Sequence, residues 1–273
     1  YQNNNLIIKN CFTNQQNLEE LIKYIEGVEN TISMKSKPKL PTNRKKCKIC
    51  IWQDHCHLDA KKYGVLSEVS GIGKKRQEFL ANIGINTIKQ LSLTNQDWLA
   101  DKLKQNGEPQ QDIANKLIRQ AKAQYSGVKE RIDNILLPEI INSSGIISYD
   151  IESDSDINHD FLHGLLILPK KDNNDFDFLR AEYIPVLSYS KLDEKITLQK
   201  LIKLLEKFKS WPIIHYGETE KTAIIRLLKK HNYPNRYFPY FSENLIDIHE
   251  KVKKSWYLPT NNYSLKTISK LVG

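Results

Sequence analysis

The pattern of apolar and polar positions changes near residue 146, and this change divides the chain. Before it, apolar residues recur every three or four positions, which is typical of amphipathic helices. One such set is Leu18, Leu21, Ile22 and Ile25. After it, apolar residues form short runs or alternate with polar ones, as they do in strands. We therefore expect a helical first half and a second half built on a sheet.

The second half predicts a definite order of elements. The predicted elements are strands at 146–152, 161–168 and 181–189, a helix at 198–208, a strand at 211–216, a helix at 219–231 and a strand at 245–248. A polar turn between the first two strands indicates a hairpin. This order resembles that of an RNase H-like sheet. The expected fold class is multidomain α and α/β, with a helical helix-hairpin-helix region followed by an RNase H-like mixed-sheet α/β domain.

The first predicted strand carries two acids, Asp150 and Glu152, two positions apart. Because side chains alternate along a strand, both point to the same face. Neighbouring carboxylates on an otherwise apolar strand repel each other and lose hydration, and a divalent cation relieves this because hard cations prefer carboxylate oxygens. The alternative is a strand with one solvated polar face.

A glycine turn opens a basic helix within residues 65–92, where the pattern predicts a helix-turn-helix pair. The residues concerned are Gly71, Ile72, Gly73, Lys74, Lys75 and Arg76. Glycines let the backbone approach a ligand, free N–H groups at a helix N-terminus bind phosphate, and basic side chains add charge. Leu66, Val69 and Ile72 would close the core. The segment resembles the helix-hairpin-helix module of DNA repair proteins, which implies DNA contact, although such modules also serve as spacers.

Three cysteines lie within ten positions, in the spacing C-x2-C-x5-C. They are Cys47, Cys50 and Cys56. Clustered thiols at this spacing indicate a metal site rather than a disulfide framework. Zinc with His55 or His57 as the fourth ligand is one interpretation. The spacing also resembles the end of the iron–sulfur staple in RecB-like nucleases, which implies a [4Fe–4S] cluster whose fourth ligand is Cys11 or a residue preceding this chain.

The positive charge is concentrated in the first half. Residues 1–145 carry 22 Lys and Arg against 15 Asp and Glu, whereas residues 146–273 carry 19 against 17. Seven basic residues and no acid lie between Glu29 and Asp54. Such a run suits a polyanion, most simply nucleic acid, or forms a solvated linker. No apolar run approaches the ~20 residues that span a bilayer, so no membrane partner is expected.

Residues 146–273 resemble the DnaQ-like 3′–5′ exonucleases of the RNase H-like superfamily. Asp150 and Glu152 match the first motif, and the turn 215–220 matches the second, with Glu220 where relatives usually carry Asp. Asp247 ends the next strand, where relatives often carry an acid. The resemblance implies a two-metal site for Mg²⁺ or Mn²⁺, with Asp150 bridging, Glu152 binding metal or orienting water, and Glu220 binding the second metal. The third motif would fall after Gly273, so one ligand is expected to be missing.

The whole series resembles bacterial RecB-like nucleases that carry a C-terminal exonuclease domain. It implies a nuclease remnant with the cysteine cluster at 1–63, a helix-hairpin-helix region at 64–130 and a truncated exonuclease domain at 143–273. Because the chain begins at Tyr1, we expect a piece of a longer protein. The resemblance to bacterial nucleases implies a cytoplasmic location. The predicted function is metal-dependent 3′–5′ exonucleolytic hydrolysis of DNA, with RNA left open. The alternative is a non-catalytic nucleic-acid-binding or scaffold module.

Overall fold

The structure, a computed structural model, describes residues 15–36, 40, 47, 50–108, 111–134 and 137–272. They belong to two compact units, Tyr1–Lys62 and Tyr63–Gly273. Cys11 lies outside the described residues, as does most of the basic run. None of the described helices combines the length and the apolar character needed to pass through a bilayer.

The first unit contains α1 (Gln15–Ser33), and α2 (Gln53–Tyr63) begins within it. Helix α1 confirms the prediction made from the spacing of Leu18, Leu21, Ile22 and Ile25. No residue of α1 is buried, and the four apolar side chains are about half exposed. Periodicity therefore predicted the helix correctly but does not fix what its apolar stripe packs against.

The second unit opens with a helical region that has its own apolar core. Its helices are α3 (Lys74–Asn82), α4 (Ile88–Ser92), α5 (Gln96–Gln105) and α6 (Gln111–Ser126). The expected core residues Leu66, Val69 and Ile72 are all buried in it. After α6 come the short strand β1 (Glu130–Arg131) and the single-turn helix α7 (Pro138–Ile141).

The predicted helix before the glycine turn is wrong, because a single 3-10 turn, Leu66–Glu68, stands in its place. Gly64 and Gly71 have φ angles of +61° and +91°, in the left-handed region that glycine adopts most easily. These two reversals leave only six residues between them, which is too few for a helix of more than one or two turns. Helix α3 begins after the turn as predicted, with Gly73 as its N-cap.

A five-stranded mixed sheet forms the rest of the second unit. Its strands are β2 (Gly145–Asp154), β3 (His159–Pro169), β4 (Glu182–Leu187), β5 (Ile213–His215) and β6 (Leu245–Asp247). The order is β4-β3-β2-β5-β6, with β2, β3 and β4 antiparallel and β5 and β6 parallel to β2. The accompanying helices are α8 (Glu194–Glu206), α9 (Thr219–Lys230), α10 (Tyr237–Asn244) and α11 (Ile248–Ser255), followed by β7 (Trp256–Tyr257) and α12 (Leu265–Val272).

This architecture confirms the predicted fold class as a helical region followed by a mixed-sheet α/β domain, and it confirms the order of strands. All five predicted strands and both predicted helices are present, with ends that differ by a few residues. Helix α10 was not predicted. Its sequence is rich in aromatic residues and contains Pro239, so it shows no clear helical period.

The two faces of the sheet differ in what covers them. On the covered face, Ile147, Tyr149 and Ile151 of β2 pack with apolar side chains of α8, α9 and α10. On the open face, Asp150 and Glu152 are exposed toward the end of the same strand. Leu166 of β3 and Tyr183 of β4, which pair in register on this open face, are also exposed. The sheet therefore presents an uncovered surface around the two acids.

The helical region and the sheet domain are joined by specific contacts within the second unit. Strand β1 pairs with β7 in an antiparallel ladder. The buried Gln120 of α6 donates through Nε2 to the carbonyl of Leu258 at 2.9 Å, and its Oε1 accepts from the Tyr263 hydroxyl at 2.8 Å. These contacts fix α6 against the segment that follows α11.

Candidate active site

Asp150 and Glu152 lie on β2, the middle strand of the sheet. Their side chains are exposed, whereas Tyr149 and Ile151 between and beside them are buried on the covered face. Within the described part of the chain, neither carboxylate has a hydrogen bond or an ion pair. The alternation expected from the sequence therefore places two free carboxylates side by side.

An aromatic ring borders this carboxylate pair. Asp150 pairs in register with Gly164 of β3, and a Cβ atom at Gly164 would lie 2.7 Å from the hydroxyl of Tyr183. The missing side chain at Gly164 thus makes room for the Tyr183 ring, which remains 56 % exposed. The register also shifts between Glu152 and Ser153, where β2 leaves regular pairing.

The second predicted motif lies on the other face of the sheet. Ile213 pairs with Ile147 on the covered face, and His215, two residues on, points the same way. Glu220, in the first turn of α9, is buried with its Oε2 3.4 Å from Nδ1 of His215. Neither ring nitrogen of His215 nor Oε2 of Glu220 has a hydrogen-bond partner in the described residues. The structure therefore places Glu220 in a buried pair with His215, not beside Asp150 on the open face.

Asp247 ends β6 and caps the next helix. Its Oδ1 accepts from the backbone N–H of Gly217 at 2.9 Å and of His249 at 2.8 Å, which fixes the turn after β5 against the start of α11. Tyr216 packs its ring on His249 and donates its hydroxyl to the carbonyl of Tyr263. Burial, followed by the charge of Asp247, raises the pKa of Tyr216. Asp247 also lines a cleft of about 1200 Å³.

The predicted acids do not all converge. Strand β5 lies between β2 and β6, so about two strand spacings, or roughly 10 Å, separate the strands of Asp150 and Asp247. Throughout the described ranges, no three His, Cys, Asp or Glu side chains are grouped closely enough to hold a metal ion. Asp150 and Glu152 are brought together as a pair, and their catalytic role, like that of Glu220 and Asp247, remains a prediction.

A buried polar network on the covered face was not predicted. The Tyr149 hydroxyl and Nδ1 of His163 are hydrogen-bonded at 2.7 Å, and burial lowers the pKa of His163 to about 4. Burial, and after it the charges of Asp160 and Glu220, hold the pKa of Tyr149 well above its ordinary value. The sequence could have predicted the burial of His163, because this residue is two positions before the apolar Leu165 and therefore shares its face of β3.

Arg226 and Glu194 extend this network to the helices. Arg226 of α9 forms an ion pair with the buried Asp160 and donates to Asn158. Glu194 of α8 is buried and pairs with Lys230 at the end of α9. Burial acts to raise the pKa of Glu194, but hydrogen bonds from Lys230 and His231 outweigh it and lower the pKa from its ordinary value. The first ion pair holds α9 on β3 of the sheet, and the second joins α8 to α9.

The glycine turn keeps its predicted basic residues, but they differ in availability. Arg76 donates to Glu108 at 2.7 Å and to the carbonyl of Gly71, so it braces the turn. Lys74 is exposed and lies 3.7 Å from Glu78, and Lys75 is exposed without an ion pair in the described region. The Ile72 side chain is buried, which leaves only its backbone for a ligand. Nucleic-acid binding at this turn stays a prediction.

The three described cysteines of the first unit are free thiols. Cys50 is exposed, whereas Cys47 and Cys56 are partly buried. The backbone folds locally, with the N–H of Cys50 donating to the carbonyl of Cys47 at 3.1 Å. Cys11, the candidate fourth ligand, lies outside the described residues, so the metal site at these cysteines stays a prediction.

Comparison with known proteins bears on the sheet domain. Residues 147–273 match the family model described as the RNase_H superfamily. No curated protein and no solved structure gives a significant match. The matched range begins on β2 and includes the carboxylate pair, the His215–Glu220 pair and Asp247. Residues 147–273 are therefore an RNase H-like domain, which indicates nuclease-type activity on nucleic acid.

Proposed function

We propose that the sheet domain is a metal-dependent nuclease that hydrolyses phosphodiester bonds at Asp150 and Glu152. The observation that carries the proposal is the pair itself. Two exposed carboxylates share one face of the middle strand, and no described residue forms an ion pair with either. Like charges at this spacing repel each other, and a bound divalent cation removes the repulsion.

The pair suits Mg²⁺ or Mn²⁺. Mg²⁺ usually takes one or two carboxylates from the protein and completes its shell with water and substrate phosphate oxygens. The exposure of both side chains leaves room for such ligands. When bound, the ions would neutralise charge on the attacking and leaving oxygens and would lower the pKa of the attacking water.

Each acid has a distinct proposed role. Asp150 would hold both ions, and Glu152 would hold one of them or orient the attacking water. Asp247 has one oxygen committed to two backbone N–H groups, which fixes its side chain and leaves the other oxygen for a ligand in the cleft. Its first effect is to position the turn that follows β5.

Glu220 of α9 is proposed as a ligand of the second ion, reached from its buried position beside His215. Its Oε2 is buried without a hydrogen bond in the described residues, and its charge acts on Tyr149 together with that of Asp150. A Glu220→Gln variant that folds normally but loses Mn²⁺-dependent cleavage would support this role. Unchanged cleavage would assign Glu220 to the buried core alone.

The proposed reaction is exonucleolytic, runs 3′ to 5′ and acts on DNA, as the DnaQ-like resemblance implies. One observation favours a second candidate, a non-catalytic nucleic-acid-binding module: no group of three metal-binding side chains is found among the described residues. The two candidates differ in a single measurable respect, because only the first predicts cleavage that depends on Asp150.

The test compares Asp150→Asn with Asp172→Asn, a matched exposed aspartate in the loop before β4. Both are assayed with Mg²⁺ or Mn²⁺ on end-labelled single-stranded DNA, double-stranded DNA and single-stranded RNA. We expect Asp150→Asn to lose about a thousandfold in rate, because a bound cation supplies several kcal/mol and each ~1.4 kcal/mol is tenfold. Labels at the two ends report the polarity. Equal rates for both variants would refute the proposed site.

We further propose that Cys47, Cys50 and Cys56 bind a metal. The three thiols are free, and a cluster or zinc ion requires thiolates. Anaerobic purification followed by iron and zinc analysis and an absorbance spectrum distinguishes a [4Fe–4S] cluster from zinc. Cys56→Ser should lower the bound metal, whereas Cys11→Ser should do so only if Cys11 is the fourth ligand. Protein purified without either metal would contradict the proposal.

A further inference from the structure

Two clefts in the second unit meet along helix α11. The larger, of about 1200 Å³, includes His215, Gly217 and Asp247 at the ends of β5 and β6. The smaller, of about 570 Å³, includes Gly71 of the glycine turn and Lys116 of α6. Glu250 and Lys253 line both clefts. The two clefts are therefore neighbours that share α11 as a wall.

The smaller cleft is basic. Its lining contains one acid, Glu250, and four basic residues, which are Arg76, Lys116, Lys253 and Lys254. Arg76 is paired with Glu108 and Lys254 with Glu250. Lys116 and Lys253 are exposed, and in the described part of the chain neither has an ion pair or hydrogen bond. Two uncommitted ammonium groups in one cleft favour a polyanion.

The backbone at the far end of this cleft is also suited to phosphate. Gly71 has a φ angle of +91°, and its carbonyl is held by Nη1 of Arg76 at 2.7 Å. Gly73, two residues after Gly71 and outside the lining of the cleft, caps α3 without a side chain over the first N–H groups of that nine-residue helix. Open N–H groups at a helix N-terminus attract phosphate oxygens. The lysines and the turn thus offer the same chemistry on one side of the molecule.

The distance between the two ends is fixed by the fold. The buried amide of Gln120 binds the carbonyl of Leu258 and the hydroxyl of Tyr263, and β1 pairs with β7. These contacts hold α6 against the segment after α11. The eight residues of α11 span about 12 Å at ~1.5 Å each, which three to four stacked nucleotides cover at ~3.4 Å each.

We infer that the two clefts form one continuous path for a single nucleic-acid strand, from the Gly71 turn along α11 to Asp247. Lys116 and Lys253 bind phosphates of the same strand at different points on this path. The inference rests on the proposed function, since it leads the strand toward the proposed nuclease site. The helical region would therefore bind the strand at a fixed distance from the nuclease site, and would not merely raise the overall affinity for nucleic acid.

The experiment measures binding without cleavage, in the full chain carrying Asp150→Asn and in the presence of EDTA. Fluorescence anisotropy of a labelled 12-nucleotide strand, as DNA and as RNA, is recorded over a series of salt concentrations. Lys116→Ala, Lys253→Ala and the double variant are compared with Lys200→Ala and Lys203→Ala. The last two remove exposed lysines of α8 that line neither cleft. Circular dichroism checks that all variants fold.

We expect Lys116→Ala and Lys253→Ala each to weaken binding about three- to tenfold, and the double variant to weaken it more. Each should also lower the salt slope by about 0.7, the value for one phosphate contact with a single strand. The α8 variants should change neither quantity. Native mass spectrometry should find one strand bound per chain, because both lysines contact the same strand.

Three results would overturn the inference: no binding by the parent, losses equal to those of the α8 variants, or two strands bound per chain. Cleavage is measured separately, with Asp150 intact. Binding that depends on the two lysines without any cleavage by the parent would leave the path standing and remove the proposed function. Cleavage by the parent, together with binding that neither lysine variant weakens, would support the proposed function and refute the path. The tighter of the two dissociation constants, for the DNA or for the RNA strand, identifies which nucleic acid the path binds.

Discussion

Two pairs of ionisable side chains lie on opposite faces of the sheet, and they differ in exposure, partners and expected role. Asp150 and Glu152 are exposed on the open face without partners among the described residues. Glu220 is buried on the covered face with His215 at 3.4 Å. Exposure makes the first pair available to a cation and substrate at little cost in stability. Burial makes the second pair a matter of stability, because a buried charge requires its partner.

The largest expected effect on stability concerns the buried pair. Glu220→Ala or His215→Ala should lower the free energy of unfolding by about 3–5 kcal/mol, because each leaves the other polar group buried alone. The double variant with leucine at both positions should recover most of this loss. Urea unfolding measures all of them. Asp150→Ala should stay within about 0.5 kcal/mol, and a loss as large as that of Glu220→Ala would erase the distinction between the faces.

The second effect is the pH dependence of the covered face. His163 has a pKa of about 4 in the folded protein against an ordinary value of 6.5. The unfolded chain therefore binds its proton first, so stability falls as pH drops from about 6.5 toward 4. Once His163 is fully protonated in both states, the free energy of unfolding has fallen by roughly 3 kcal/mol. The difference between the parent and His163→Leu in urea midpoints across pH 7 to 4 isolates this contribution. Parallel curves would show that His163 is not the group responsible.

A third, smaller effect compares two glycines. A Cβ at Gly145 would lie 2.4 Å from the Trp211 ring and 2.7 Å from the carbonyl of Leu168, so Gly145→Ala should cost about 1–3 kcal/mol through overpacking. A Cβ at Gly164 meets only the exposed end of Tyr183, which can move aside. Gly164→Ala should therefore cost less than about 1 kcal/mol. Thermal unfolding of both variants measures whether an added methyl group costs less stability at Gly164 on the open face than at Gly145 on the covered face.

The smallest expected effect is stabilisation by the cation. Mg²⁺ or Mn²⁺ at ten times its dissociation constant should add about 1.4 kcal/mol, because a ligand that binds only the folded state stabilises it. Asp150→Asn should lose this increment, and Asp172→Asn, the exposed aspartate in the loop before β4, serves as the comparison. Unfolding with and without cation provides the measurement independently of cleavage. An increment that survives in Asp150→Asn would place the cation elsewhere.

Much of the open face could be predicted from sequence because it depends on short-range geometry. The alternation of Asp150 and Glu152 with Tyr149 and Ile151 fixes which side chains share a face, and the structure keeps that arrangement. The apolar runs likewise predicted every strand of the sheet. Local rules suffice where one strand and its immediate neighbours decide the outcome.

The covered face was harder to predict because it depends on which side of α9 meets the sheet. Glu220 lies three, four and seven positions before Ala223, Ile224 and Leu227, which are buried. It therefore continues their apolar stripe, and this spacing would have indicated burial. Its pairing with His215 still required the position of β5 relative to α9, which spacing along the chain does not provide. Helix α10 was missed because its aromatic residues and Pro239 give no helical period.

The contacts of Gln120 have a consequence for how the second unit unfolds. Separating α6 from the sheet domain would break the hydrogen bonds of this buried amide to the carbonyl of Leu258 and the hydroxyl of Tyr263, and would break the β1–β7 ladder. Hydrogen bonds of this kind contribute about 0.5–1.5 kcal/mol each to stability. The helical region and the sheet domain should therefore melt in a single cooperative transition, so that damage to one is felt as lost stability in the other.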